Sequence, residues 1–150
     1  MRREAMLQRL ETAGLAERAT VYERDAGELL VTWLTPLFLE YETIGQLQAA
    51  GAEWVYGDDP EATRARVRSR AGELGERVCA LWAFERFAAD LALDAAVEHL
   101  DDLWFPASDD LWLLSLKHRR FVLLHHDELF LFADLGGPPH WPVLEPHPHP

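Results

Sequence analysis

Two pairs of aspartates, Asp101-Asp102 and Asp109-Asp110, each lead into an aromatic run, Leu103-Trp104-Phe105-Pro106 after the first and Leu111-Trp112 after the second. Paired carboxylates can hold a hard cation through oxygen or act as acid and base. They can equally meet lysines and arginines of a protein partner, with a neighbouring Trp as anchor. A local use is also open, because Ser108, Asp109 and Asp110 can accept turn N–H groups ahead of a strand. The alternation of acids, glycine and terminal glutamate that defines an EF-hand loop is absent. The residues assigned to partner contact are Asp101, Asp102, Trp104, Asp109 and Asp110.

His125-His126-Asp127-Glu128 is the second constellation. Adjacent residues of a strand face opposite ways, so the two imidazoles reach one ion only if a turn or bulge lies between them. His99 or His118 could add a third ligand, and a metal-dependent protein using His99 with residues 125–128 is one expectation. Without a metal, the stretch is a polar hairpin turn. Neither HExxH nor a Cys/His zinc spacing occurs. His140, His147 and His149 lie in a tail whose His-Pro-His-Pro end can hold transition metals weakly.

Arg64, Arg66, Arg68 and Arg70 form the basic cluster. Arginines two apart on a helix point about 200° apart, so Arg64 and Arg68 share one side and Arg66 and Arg70 another. They suit a solvated helix with Val67 inward, or a clamp for an anion, although no Gly-rich phosphate loop accompanies them. The single cysteine, Cys79, sits in the apolar stretch VCALWAF and reads as a buried, inert thiol. No GxSxG, P-loop or dinucleotide fingerprint is present. The expectation is therefore a non-enzyme with no cofactor.

Composition narrows the class further. A chain of 150 residues is about one domain on a prior of roughly 100–200 residues. An apolar content of 49%, with six Trp and seven Phe, excludes disorder of the whole chain. The 26 acids and 14 bases give a net charge of −12. Phosphate contacts need the opposite sign, so nucleic acid is not expected as a partner, and anionic membranes are disfavoured for the same reason. A basic protein or cationic ligand fits the charge, which also keeps the chain soluble. One cysteine cannot form an intramolecular disulfide, the N-terminus has no apolar signal core, and no run reaches the roughly 18–20 residues of a membrane span. The expected location is cytoplasmic. Thirteen Arg against one Lys is the bias of a GC-rich bacterial genome.

The elements that must position these residues follow from periodicity. Met6, Leu7, Leu10 and Ala13 predict a helix over 3–13, stopped by Gly14. ELLVTWLT predicts a strand over 29–35, ended by Pro36, with a second extended piece over 37–41. Thr43 is an N-cap for a helix through Ala50, and residues 53–56 form a short strand. Asp59 caps a helix that starts at Pro60 and runs to about residue 71. Leu81, Phe84, Ala88 and Leu91 predict a helix over 76–91, and Asp94 opens a shorter one to residue 100. LWLLSL, RFVLL and ELFLFA, with short polar separators, predict an antiparallel meander over 111–116, 119–124 and 128–133.

The fold class expected is α+β: one domain over 3–135 with a mostly antiparallel sheet and helices on one side. Residues 136–150, which hold six of the nine prolines, form an extended tail. LWLLSL and RFVLL are apolar on both faces, so the second face needs cover from a helix, the tail or a second copy; the last motivates a homodimer. The leading functional expectation is a small acidic protein-binding module, of bacterial inhibitor or immunity type, covering a basic partner such as a nuclease. The alternatives are the metal-dependent protein and a homodimer with a structural or regulatory role.

Overall fold

The three apolar runs between Leu111 and Asp134 form the antiparallel meander that their spacing predicts. The computed structural model describes residues 2–55, 59–106 and 109–136. In chain order the described elements are α1 (Arg2–Thr12), a 3₁₀ turn (Ala16–Arg18), β1 (Thr20–Val21), α2 (Arg24–Glu40), α3 (Ile44–Ala49) and β2 (Glu53–Trp54). Then come α4 (Pro60–Arg68), α5 (Ala71–Leu74), β3 (Arg77–Trp82), β4 (Phe87–Ala92), α6 (Leu93–Glu98) and α7 (Leu100–Leu103). The meander strands β5 (Leu111–Ser115), β6 (Arg120–His125) and β7 (Leu129–Asp134) follow. The fold is α+β, around one sheet with order β1-β4-β3-β5-β6-β7-β2. Each described pairing in it is antiparallel.

Alternate side chains of the central strands feed two cores. Val78, Ala80, Trp82, Leu111, Leu113, Val122 and Leu124 pack with Met6, Leu10, Val67, Leu74 and Leu100 of α1, α4, α5 and α7. Cys79, Leu81, Trp112, Leu114, Phe121 and Leu123 pack with Leu30, Leu34 and Leu47 of α2 and α3. Helices therefore cover both faces, not one. The cover that motivated a homodimer is supplied within the chain, by α2 and α3. Each buried Leu or Phe contributes roughly 1.5–3 kcal/mol relative to exposure, so both layers add substantially to stability.

Two predicted elements are corrected. Residues 76–91 form the β3–β4 hairpin instead of a helix. VCALW is apolar at every position because both faces of the strand are buried, and such a strand lacks the alternation that would identify it. Residues 29–40, predicted with Tyr41 as two strands, belong to α2, and Tyr41 caps its end. Leu30 and Leu34 lie one turn apart and are buried, while Pro36 sits inside the helix on an exposed position. An interior proline costs about 3 kcal/mol. The burial of Leu30 and Leu34, with Leu37 and Phe38 partly covered, offsets that cost.

Local chemistry explains the other boundaries. Thr43 accepts from the Gln46 N–H at 3.1 Å while Gln46 Oε1 accepts from the Thr43 N–H at 2.9 Å, a reciprocal cap that starts α3. Asp59 accepts from the Ala62 N–H at 3.2 Å ahead of Pro60, as predicted for α4. The helix expected over 60–71 divides at Ser69 and Arg70 into α4 and α5. The strand over 53–56 is reduced to Glu53–Trp54, and Tyr56 lies outside the described residues. Ser108 lies outside them too, as does the tail beyond Gly136 with His140, His147 and His149.

Candidate functional site

The register of β5 on β6 builds the site. Leu111 pairs with Leu124 and Trp112 with Leu123, so Asp110, one residue before β5, falls opposite His125. His125 ends β6 and pairs with Leu129 across the turn 126–128. Glu128 takes a left-handed φ of 63° there and donates its N–H to the His125 carbonyl at 2.9 Å. A hairpin loop of this length closes on a left-handed residue. The turn folds His126 back beside His125, with ring centroids 4.0 Å apart and an interplanar angle of 31°. This is the turn that two adjacent histidines need before they can face a common point.

Asp110 is nearly buried. Its Oδ1 accepts from the His126 backbone N–H at 2.7 Å and lies 2.8 Å from His126 Nδ1. His125 is 2% exposed, and its Nδ1 accepts from the Asp127 N–H at 3.1 Å. Burial holds the His125 imidazole below its ordinary pKa; the Asp110 charge opposes this shift and His126 adds to it. The Glu42 backbone also raises it. His125 is thus a neutral imidazole with its orientation fixed.

One ligand atom from each of Asp110, His125 and His126 lies within 4.8 Å of the other two. Ligands of one tetrahedral zinc ion, each about 2.0–2.2 Å from it, lie roughly 3.3–3.6 Å apart, so the cluster closes by about 1 Å at its widest, and His126 Nδ1 and Asp110 Oδ1 part by about 0.5 Å, to share an ion. The Asp127 carboxylate stands at the edge of the cluster, 3.7 Å from His125 Nδ1 and 3.6 Å from His126 Nε2.

Two clefts meet at His126. One, of about 540 Å³, has Asp110, His125, His126 and Trp112 in its lining, with Phe38, Leu39 and Phe84 among the apolar residues. Trp112 is 2% exposed, and its Nε1–H has no hydrogen-bond partner among the described residues. The other cleft, of about 470 Å³, is lined by His126, Glu128, Trp104, Leu100 and residues of α4. Phe84 packs on the His126 ring at 5.6 Å between centroids.

The five residues assigned to partner contact do not form one surface. Asp109 is 3% exposed and accepts the N–H groups of Phe84 at 2.9 Å and Glu85 at 3.3 Å, so it holds the β3–β4 turn. Burial pushes its carboxyl up to about 6, against the lowering effect of those N–H groups. Asp110 holds the β6–β7 turn. The two neighbouring aspartates therefore hold turns of two other hairpins through their backbone N–H groups, not the turn ahead of their own strand. Trp104 is 6% exposed and belongs to the core beneath α1 and α7, which removes it as a surface anchor. Asp101 and Asp102 are exposed on α7: Asp101 pairs with Arg64, and Asp102 lies 3.6 Å from His99 Nδ1.

His99, expected as a partner of residues 125–128, instead lies between Asp102 and Glu98 at the α6–α7 junction and is not part of the cluster. Glu128 and His118 are also outside it, and Asp110 takes the third place. The signal that could have found Asp110 is the meander itself, since pairing LWLLS with RFVLL across the turn 116–119 puts residue 110 opposite 125. Arg64, Arg66 and Arg70 of the basic cluster are tied to Glu61 and Asp101, to Glu53, and to Glu73. Cys79 is buried, and desolvation pushes its thiol far above the ordinary range, so it is inert. No described helix is long and apolar enough to cross a membrane. The chain matches no known protein family, no curated protein and no solved structure.

Proposed function

We propose that this protein binds a divalent transition-metal ion through Asp110, His125 and His126. The observation that carries the reading is the convergence of two imidazoles and one carboxylate from two separate strand ends, within 4.8 Å. Imidazole nitrogen with a carboxylate suits zinc, iron, nickel or copper better than calcium or magnesium. Three protein ligands leave at least one coordination position for water or a further ligand, as reactive metal sites do.

The test is a cobalt titration of the untagged protein, followed by melts with and without zinc. One equivalent of Co²⁺ develops visible d–d bands. Zinc at 100 times Kd stabilises the fold by about 2.7 kcal/mol. Asp110→Asn keeps an acceptor for the His126 N–H but loses most of this effect, as does His126→Ala, whereas His99→Ala keeps it. Metal-free protein that neither binds cobalt stoichiometrically nor melts higher with zinc rules the reading out.

A second reading is favoured by charge. A net charge of −12, with Asp101 and Asp102 among the exposed acids, suits a small binding protein of inhibitor or immunity type that meets a basic partner such as a nuclease. The lone buried Cys79 supports a reducing, cytoplasmic setting for either reading. Capture from lysate at low salt recovers a basic protein under this reading. The double change Asp101→Asn and Asp102→Asn then slows its association and flattens the salt dependence. Recovery of no basic protein counts against it.

A further inference from the structure

We infer that the 540 Å³ cleft takes a small carboxylic acid with an apolar body, its carboxylate on the bound ion and near the Trp112 Nε1–H, its body between Phe38, Leu39 and Phe84. The inference rests on the metal reading and adds the class of ligand. A cleft of this volume lies within the roughly 300–1,000 Å³ range of small-molecule sites.

Two observations beyond the metal cluster point to this chemistry. The first is the Trp112 indole, which lines the cleft 2% exposed with an N–H that has no acceptor among the described residues. Buried donors of this kind are nearly always paired, and this atom exposes less than 1 Å², so an acceptor oxygen gains the hydrogen bond as the ring shifts toward the cleft. The second is the rim. Leu39 is 62% exposed and Phe84 is 51% exposed, two of the few large apolar side chains left on the described surface, and both line this cleft. An apolar ligand body covers them.

Charge selects the acid. Asp110 and Glu42 contribute two negative charges to the lining and Arg86 one positive charge, so without an ion the cleft repels anions. Asp127, at the edge of the cluster, adds a third negative charge, and a divalent ion cancels the net charge of the group, which removes the repulsion and gives a carboxylate an ion to bind. Metal and acid therefore bind in order, and the acid needs the metal.

The experiment uses 3-phenylpropanoate, its amide and propanoate as probes on the full chain. In the Co²⁺-loaded protein, 3-phenylpropanoate shifts the d–d bands. In the Zn²⁺-loaded, ¹⁵N-labelled protein it moves the Trp112 indole N–H resonance, and in metal-free protein it does neither. The amide, which lacks the charge, and propanoate, which lacks the ring, bind at least tenfold more weakly. Leu39→Asp, at a position exposed enough to leave the fold alone, weakens 3-phenylpropanoate at least tenfold without altering the cobalt bands formed in its absence. Cobalt bands that form normally but do not respond to the acid, or an amide that binds as well as the acid, overturn the inference and leave the metal reading standing. Absence of cobalt bands overturns both.

Discussion

Asp101, Asp102, Asp109 and Asp110 are one residue type with very different surroundings, and the consequences of replacing them differ accordingly. Asp109→Ala leaves the Phe84 and Glu85 N–H groups without their acceptor beside a buried turn, and stability falls by roughly 1–3 kcal/mol in urea titration. Asp109→Asn keeps one acceptor oxygen and loses less. Asp101→Asn removes one partner of the largely buried Arg64, which keeps Glu61 and the Val97 carbonyl, and changes stability by about 1 kcal/mol or less. Trp112→Ala removes a ring buried between Phe38 and Phe121 and costs roughly 3–5 kcal/mol. The capping role of Asp109 and Asp110 was legible from residue type. The turns that they cap were not, because Phe84 and His126 lie 25 and 16 residues away in sequence and only the sheet brings them close.

At the scale of elements, the contact of α2 with the β3–β4 turn rests on Gly27. A β-carbon there would stand 2.0 Å from the Arg86 carbonyl oxygen, a backbone atom that cannot swing aside. Gly27→Ala should therefore destabilise by roughly 1–3 kcal/mol or more, as overpacking does, and should lower the melting temperature by several degrees. Gly45→Ala in α3 is the control. A β-carbon there meets nothing nearer than Thr43 Oγ1 at 4.0 Å, and a helical alanine gains roughly 0.5–1 kcal/mol over glycine. The same elements show where reading the sequence succeeds. The meander, α1, α3, α4 and α6 follow from periodicity, caps and turn residues that act locally. The β3–β4 hairpin and α2 do not, because burial on both faces erases the alternation of a strand, and a proline within a β-branched, apolar stretch imitates a strand end.

At the scale of the whole molecule, burial gives the fold an alkaline limit. Tyr22 is pushed up to about 12 by desolvation, with Cys79 and Asp90 adding to the shift, and desolvation also raises Tyr41 and Cys79. Each folded group holds its proton more tightly than its unfolded counterpart, whose ordinary value is 10.0 for Tyr and 9.0 for Cys. The unfolded chain therefore ionises first as pH rises. The contribution of these three groups is full below about pH 9 and falls steadily through pH 12. Urea titrations at a series of pH values measure the fall, and Tyr22→Phe makes it shallower above pH 10. A profile that is flat from pH 9 to 11 contradicts these shifts.

His126 stands in the wall of both clefts, with Asp110 on its Nδ1 and Phe84 against its ring. Its imidazole is therefore a wall common to two otherwise separate cavities. An occupant of the Trp104 cleft that turned the ring would change the affinity of the Trp112 cleft. Thermodynamic linkage requires the reverse effect to have the same size. An ion on His126 that locks the ring would set both affinities at once.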